Sequence, residues 1–206
     1  QHASVPMDFD GDVLESGRGE SIKPDDPRLA NGETHLIATP QMALEAAAEV
    51  ARAEGIPAYI LGDSLEGEAR DVGKAMAGIA RQIALRDQPF AKPCLLLSGG
   101  ETTVTLRAKG KGGRNSEFLL SLAIGIDGIP GIDAFAADTD GIDGSENNAG
   151  AFADGTTVAR MRAAGVDAKA MLAGNNAWTA FNAVGDLFVP GPTGTNVNDL
   201  RTMLIR

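Results

Sequence analysis

Short apolar runs alternate with alanine-rich segments between residues 34 and 100, and this alternation constrains the fold more than any other feature. Residues 34–39 (THLIAT), 57–62 (PAYILG) and 93–100 (PCLLLSGG) have the composition of strands. Residues 40–54 and 66–86 lie between them and carry apolar side chains at helical spacing. Strands that alternate with helices favour right-handed crossovers and parallel pairing. The sequence therefore predicts an α/β fold.

The rest of the chain predicts further helices and strands around the same sheet. The predicted strands are residues 102–108, 132–138, 186–191 and 199–206, and the predicted helices are residues 114–126, 157–165 and 175–185. We expect a three-layer αβα domain over residues 34–206, with a mixed, partly parallel sheet and helices on both faces. Residues 1–33 mix Gly, Pro, Asp and Glu without periodicity, which predicts an irregular arm or linker.

Charge and composition exclude several classes of protein. The formal net charge of −10 argues against a broad nucleic-acid surface, which needs clustered positive charge. No apolar run approaches the roughly 20 residues that span a bilayer, so no membrane partner is expected. Cys94 is the single cysteine, which rules out an intrachain disulfide and favours a cytoplasmic protein.

The densest cationic cluster of this acidic chain lies in a glycine-rich segment, SGGETTVTLRAKGKGGRNSEF, residues 98–118. Two glycines after a buried strand permit a sharp turn and a close approach to a ligand. Residues 110–113 precede a predicted helix, where free backbone N–H groups and Arg114 suit a phosphate. The segment is neither a P-loop nor a GxGxxG turn. The alternative is a hairpin tip whose cations serve solubility.

Two later loops also concentrate polar side chains near strand ends, where ligands gather in open α/β sheets. Residues 138–148 (DTDGIDGSENN) contain Asp138, Asp140 and Asp143 but lack the final glutamate of an EF-hand. Paired carboxylates there suit Mg²⁺ or a general base, and the alternative is a solvated Asx–Gly turn. Residues 191–199 (GPTGTNVND) line either a polar pocket or an ordinary turn.

The order of these three motifs resembles the MOFRL domain of class II glycerate 2-kinases, a family often labelled hydroxypyruvate reductases of tartrate metabolism. The resemblance covers residues 93–205 and continues more weakly upstream. It implies transfer of the γ-phosphoryl group of ATP to the 2-hydroxyl of D-glycerate, giving 2-phosphoglycerate, with Mg²⁺. It also implies a larger amino-terminal domain, which supplies a lysine and a glycine-rich loop and is absent from this chain. We therefore expect the chain to be inactive alone.

The resemblance implies two groups of site residues. The catalytic group is Glu101, Arg114 and Asp140, and the substrate- or nucleotide-binding group is Asn115, Glu117, Asp143, Thr195, Asn196 and Asn198. Arg114 would compensate phosphate charge, Asp140 would accept the hydroxyl proton or hold Mg²⁺, and Glu101 would bind metal or orient Arg114. No single carboxylate is assigned to the metal. Many relatives carry Pro-Thr where this chain has residues 145–148 (SENN), a departure that bears on substrate preference.

Two other functions stay open at this stage. An NAD(P)H-dependent hydroxypyruvate reductase would need a nicotinamide site, and the sequence shows no GxGxxG turn. A non-catalytic module that binds a ligand or a partner is the second alternative. The expected partners are the chain's own amino-terminal domain and a small hydroxy acid, and a homo-oligomer is left open.

Overall fold

A computed structural model describes residues 26–27, 33 and 35–206. The chain divides into two compact units, Gln1–Ile37 and Ala38–Arg206. Leu36 and Ile37 of the first unit are exposed. Residues 35–37 of that unit and residues 38–39 of the second form no strand. The strand predicted at residues 34–39 is therefore wrong over these five positions, because an apolar run becomes a strand only where another strand pairs with it. The predicted arm at residues 1–33 lies almost entirely outside the described residues.

The second unit contains six helices and eight strands within the described residues. The helices are α1 (Pro40–Ala53), α2 (Ala69–Arg86), α3 (Arg114–Gly125), α4 (Thr157–Ala163), α5 (Ala168–Ala173) and α6 (Ala177–Asn182). The strands are β1 (Ala58–Gly62), β2 (Gly67–Glu68), β3 (Cys94–Ser98), β4 (Thr102–Thr103), β5 (Ile132–Asp138), β6 (Gly150–Asp154), β7 (Leu187–Phe188) and β8 (Asp199–Ile205).

Six strands form one mixed sheet in the order β1-β3-β8-β5-β6-β7. β1 and β3 pair in parallel, whereas β8 is antiparallel to both β3 and β5, and β6 is antiparallel to both β5 and β7. β2 and β4 form a separate parallel pair. The predicted α/β class with a mixed, partly parallel sheet is confirmed, although most of the pairings are antiparallel.

Helices cover both faces of the sheet. Leu96 and Leu97 are consecutive in β3 and point to opposite faces, as the period of a strand requires. Leu96 joins the larger core, to which α2 and α3 contribute, and Leu97 packs with Leu44 and Ala48 of α1. Both faces of β3 are therefore buried, which explains its unbroken apolar sequence.

Several segments differ from their predicted structure. β2, β6 and α5 are absent from the sequence-based prediction, and the strand predicted at residues 102–108 is present only as β4. The sequence of β6, GAFAD, has weak strand propensity but gains a neighbouring strand on each side. Residues 104–113, called the basic loop below, use their backbone groups for contacts to side chains of another loop instead of a strand.

The loops with the candidate site residues lie at one edge of the sheet. β1, β3 and β5 run in the same direction, so the residues that follow Gly62, Ser98 and Asp138 meet at this edge. β8 begins there at Asp199, and the backbone N–H of Gly99 donates to the Gly62 carbonyl at 2.9 Å. Among the described residues, no helix is both long and apolar enough to cross a membrane.

Candidate functional site

Arg114, the first residue of α3, lies at the centre of the candidate site. Its guanidinium donates through Nη2 to Asp138 Oδ2 at 2.5 Å and through Nε to Asp199 Oδ1 at 2.9 Å, and its Nη1 forms an ion pair with Glu101 Oε1 at 3.1 Å. The three carboxylates come from three separate segments that end at the same sheet edge. The side chain of Arg114 remains 25% exposed, so the site is open to a ligand on one side.

Asp199 links Arg114 to the interior of the domain. Its carboxylate is fully buried and also accepts hydrogen bonds from the Arg201 guanidinium and from Asn115 Nδ2, the latter at 2.7 Å. Arg201 in turn donates to the carbonyl of Gly99 at 3.2 Å, and its guanidinium lies over the Phe118 ring. A charge pair inside the core thus holds the turn that precedes Glu101.

Burial and charge shift the pKa values of these groups. Burial raises the pKa of Asp138 to about 6, against the hydrogen bond from the Asp140 amide and the attraction of Arg114. Burial acts to lower the pKa of Arg114, but the hydrogen bond and charge of Asp199 outweigh it, and the net shift is upward. Burial lowers the pKa of Arg201 despite the adjoining Asp199 carboxylate. Arg114 is therefore a permanent cation, whereas Asp138 titrates in the mildly acidic range.

Asp140 lies beside this cluster on the loop after β5. Its backbone N–H donates to Asp138 Oδ1 at 3.1 Å, and its own Oδ1 accepts the N–H of Ile142 at 2.8 Å. The Asp140 carboxylate is half-buried and keeps its second oxygen outside these bonds. The structure therefore brings the three expected catalytic residues, Glu101, Arg114 and Asp140, together at one edge of the sheet.

Asp143 occupies the position where we expected a phosphate. Its Oδ1 accepts the backbone N–H of Asn115 at 2.9 Å, and its Oδ2 accepts the N–H of Ser116 at 2.8 Å. Asp143 is 1% exposed, and burial raises its pKa. The first free amides of α3 are thus satisfied by a carboxylate of the chain itself. The expectation that these amides bind phosphate is corrected, and Asp143 serves as a helix cap here.

Asn115 and Glu117 are also enclosed within the domain. Glu117 is 2% exposed, and its Oε1 accepts from Arg70 Nε at 2.8 Å. Its Oε2 accepts from Asn175 Nδ2 at 2.9 Å. Asn115 is completely buried and directs its amide to Asp199. In this conformation both side chains support the site from behind and do not face a ligand.

The third motif, residues 191–199, is hydrogen-bonded to the second, residues 138–148. The carbonyl of Asn198 accepts both the N–H of Thr139, at 3.1 Å, and the Thr139 hydroxyl, at 2.7 Å. Asn196 Oδ1 accepts the N–H of Asn198 at 3.0 Å, which stabilises the left-handed backbone of Asn198 at φ 63°. Thr195 and Asn196 are exposed at the same sheet edge. Of the three expected site residues in this motif, these two are exposed, whereas Asn198 is half-buried.

The carboxylates of this edge do not make a metal site by themselves. No group of three or more His, Cys, Asp or Glu side chains with suitable geometry occurs among the described residues. Both oxygens of Asp138 and of Asp199 are engaged, by Arg114, Arg201, Asn115 and the Asp140 amide. Within this cluster, Glu101 and Asp140 keep a free carboxylate oxygen. Mg²⁺ in proteins is usually held by one or two carboxylates together with waters and substrate phosphates, so these residues do not form a complete protein cage for it.

Sequence reasoning missed three residues that support the site. Arg201 is an arginine in an apolar strand, a pattern that signals a buried ion pair. Asn175 and Asn176 precede α6 and hydrogen-bond to the basic loop with their side chains. The consecutive asparagines could have indicated a special backbone position, since Asn175 has φ 50°.

Comparisons with known proteins agree on one family. The MOFRL family profile matches residues 94–199. D-glycerate 2-kinase of Thermotoga maritima is 42% identical over 177 residues, which cover 86% of this chain and 42% of that protein. A protein of Agrobacterium vitis, provisionally named hydroxypyruvate reductase, is 55% identical over 177 residues, which cover 85% of this chain and 46% of the relative.

A solved structure has the same fold. The crystal structure of glycerate kinase from Thermotoga maritima superimposes with a TM-score of 0.82 at 37% identity and covers 95% of this chain and 50% of the other. The chain therefore spans about half the length of the relatives that it matches. The family profile covers more than half of the sequence and includes all three motifs. This chain belongs to the MOFRL family.

Proposed function

We propose that this chain is the carboxyl-terminal part of an ATP-dependent glycerate 2-kinase, which phosphorylates the 2-hydroxyl of D-glycerate. The observation that carries the proposal is the meeting of Arg114 with Glu101, Asp138 and Asp199 at the exposed edge of the sheet. Relatives named glycerate 2-kinase, at 42% and 43% identity, support it. A small hydroxy acid is the proposed substrate and ATP the proposed phosphoryl donor.

Phosphoryl transfer depends mainly on positioning and on neutralising developing negative charge. Asp138 and Asp199 are buried and hold two nitrogens of Arg114, whereas Glu101 is 55% exposed and holds the third. An incoming phosphate group would compete most easily for Nη1, because Glu101 is solvated and Asp138 and Asp199 are not. Glu101 would thus orient Arg114 before the ligand binds, and the buried pair would keep it oriented afterwards.

Asp140 is our candidate for the group that accepts the proton of the glycerate hydroxyl. It is half-buried, and one of its oxygens is held by the Ile142 amide, which fixes the direction of the carboxylate. A general base needs such a fixed position within hydrogen-bond reach of the proton. We place Mg²⁺ in the proposal only as the companion of ATP, with ligands beyond the described carboxylates.

The site needs a second half. All the described side chains of the site lie along one edge of one domain, and this chain spans about half the length of the relatives. We propose that the amino-terminal domain of the full-length protein closes the site and supplies further nucleotide contacts. The chain alone should then show no glycerate kinase activity. A cytoplasmic location fits the single, buried cysteine and is part of the same proposal.

The deciding experiment is a coupled assay for ADP release with D-glycerate and ATP, run on the full-length protein and on this chain in parallel. We expect turnover by the full-length protein, identification of 2-phosphoglycerate as the product, and none by the chain. A full-length protein without turnover would refute the proposed activity. Turnover by the chain alone would refute the requirement for the second domain.

A second candidate comes from the Agrobacterium vitis relative, whose provisional name is hydroxypyruvate reductase. The same full-length preparation should be incubated with hydroxypyruvate and NADH or NADPH, without ATP, and followed at 340 nm on the nicotinamide absorbance. We expect no oxidation of either cofactor. Oxidation that depends on hydroxypyruvate would favour the reductase over the kinase.

A further inference from the structure

Asn175, in the connection between α5 and α6, holds the backbone of the basic loop through its side chain. Asn175 Oδ1 accepts the N–H of Arg107 at 2.7 Å and the N–H of Ala108 at 3.3 Å. Asn175 Nδ2 donates to the carbonyl of Thr105 at 3.2 Å. The Asn175 amide, together with the Glu68 carboxylate that accepts the N–H of Thr105 at 3.2 Å, therefore replaces the neighbouring strand that residues 105–108 lack.

The hydrogen bonds from the Asn175 side chain to residues 105–108, called the clamp below, are anchored in the core of the domain. Asn175 Nδ2 also donates to Glu117 Oε2 at 2.9 Å, and Glu117 Oε1 accepts from Arg70 Nε at 2.8 Å. Arg70 Nη2 donates to the carbonyl of Leu172 at 3.0 Å, so the hydrogen-bond network also includes α5. Asn175 and Glu117 are 5% and 2% exposed. Because every polar atom of the Asn175 amide is satisfied in a buried setting, this network is rigid.

The far end of the basic loop is held in the same way by the next residue. Asn176 Oδ1 accepts the N–H of Lys111 at 3.0 Å, and the Lys111 carbonyl accepts the N–H of Trp178 at 3.0 Å. A Cβ on Gly110 would lie 2.3 Å from the Gly174 carbonyl oxygen. Gly110 therefore permits the close contact of two backbones. The role of this glycine is close packing and not flexibility.

The clamp leaves the cations of the loop directed outward. Arg107 and Lys109 are exposed, while Lys111 Nζ lies 3.4 Å from Glu146 Oε2 and 5.1 Å from the centre of the Trp178 ring. The loop leads directly into Arg114, the centre of the candidate site. A cationic loop with a fixed backbone beside that residue is suited to bind a polyphosphate.

We propose that Asn175 is a positioning residue that fixes the basic loop so that Arg107 and Lys109 face the phosphates of the nucleotide. This inference rests on the proposed kinase function. Asn175 is buried at 5% exposure, so it acts through the backbone of residues 105–108. Loss of the clamp should weaken nucleotide binding more than the chemical step, because ordering the loop would then have to occur on binding.

The test uses the full-length protein with Asn175→Gly, which keeps the left-handed backbone accessible and removes only the side chain. We expect KM for ATP to rise about 10-fold or more, with kcat within about 3-fold and KM for glycerate unchanged. Trypsin should also cleave after Arg107 and Lys109 at least about 10-fold faster, since local opening exposes the loop. Asn182→Gly is the matched control, because Asn182 lies exposed at the end of α6.

A swap of partners guards against a general loss of folding. Asn175→Asp keeps the two acceptor contacts but sets a carboxylate against Glu117, whereas Asn175→Asp combined with Glu117→Gln restores a donor–acceptor pair with exchanged roles. We expect the double variant to recover part of the ATP affinity lost in Asn175→Asp, because the new carboxylate oxygen still faces the Thr105 carbonyl. Unchanged KM for ATP in both Asn175→Gly and Asn175→Asp would overturn the proposal. No recovery in the double variant would also overturn it. A wild-type enzyme without kinase activity would instead overturn the proposed function, and trypsin would still test the clamp.

Discussion

Arg114 Nη2 and Asp138 Oδ2 lie 2.5 Å apart, and the Asp138 side chain is only 5% exposed. A cation that is a quarter exposed is therefore held by a carboxylate that is almost removed from water. Burial raises the pKa of this carboxylate to about 6 even though the cation favours its ionised form. The free energy of unfolding should consequently depend on the protonation of Asp138, which can be measured without any assay of activity.

The first prediction concerns Asp138→Asn and the free energy of unfolding between pH 4 and pH 6.5. In the folded chain Asp138 keeps its proton up to about pH 6, whereas in the unfolded chain it loses it near pH 4. The folded state therefore binds more protons in this window, and stability falls as pH rises. Between pH 4 and pH 6.5, the free energy of unfolding of the wild type should fall by on the order of 3 kcal/mol more than that of Asp138→Asn. Urea unfolding at several pH values measures this, and parallel curves would contradict it.

The second prediction is that Arg114→Lys lowers kcat of the full-length enzyme by about 100-fold or more. A lysine ammonium cannot reproduce both the hydrogen bonds of Arg114 to Asp138 and Asp199 and its ion pair with Glu101. Steady-state kinetics with ATP and D-glycerate give the measurement. Arg162→Lys serves as the control, since its side chain is 72% exposed and pairs with Asp127 on another surface. Near-normal kcat in Arg114→Lys would remove Arg114 from the catalytic group.

The third prediction is that Asp140→Asn lowers kcat of the full-length enzyme by about 100-fold while leaving stability unchanged. Asparagine keeps the Oδ1 acceptor that binds the Ile142 amide, so the turn should survive the change. Thermal unfolding of the same preparation checks that point. If turnover persists with an intact fold, Asp140 is not the base.

The fourth prediction separates a buried helix cap from an exposed one. Asp143→Ala leaves two amides of α3 without an acceptor, and we expect it to lower the free energy of unfolding by about 2 kcal/mol. Asp167→Ala removes a similar pair of bonds from the exposed start of α5, where water can replace the carboxylate, and should cost about 0.5 kcal/mol. Urea unfolding of both variants provides the comparison. Equal losses would show that burial of Asp143 does not matter.

The fifth prediction uses two glycines of α2. A Cβ on Gly73 would lie 2.2 Å from the carbonyl oxygen of Phe118 in α3, whereas a Cβ on Gly78 would meet nothing within 4 Å. Gly73→Ala should force the two helices apart and lower the free energy of unfolding by about 2 kcal/mol. Gly78→Ala should raise it by about 0.5–1 kcal/mol, because alanine favours the helix. A stable Gly73→Ala variant would mean that the helices can separate without loss.

Local signals in the sequence accounted for many of the elements. Thr39 Oγ1 accepts the Met42 amide at 3.2 Å and Pro40 opens α1, as residues of these types at these positions predict. The apolar run of β3 was predictable because both of its faces are buried. The placement of Glu101 and Asp140 at one edge of the sheet was predictable from strand direction, since β3 and β5 both end there.

The remaining features depend on contacts between distant parts of the chain. The N-terminus of α3 has the pattern of a phosphate site, and only the fold shows that Asp143, 28 residues beyond Asn115, already occupies it. The basic loop has the composition of a mobile segment, and only the fold shows that Asn175 fixes it. Local composition records which hydrogen bonds a segment can make, but it does not identify the partner.

The shortness of β7 has a consequence for how copies of this protein meet in solution. β7 forms one border of the sheet and offers only Leu187 and Phe188 for pairing, and Pro190 follows without a backbone N–H to donate. A strand from a second molecule that approached this border would find too few peptide groups to attach firmly. We expect fibrillar assembly through this border to be disfavoured even at high protein concentration.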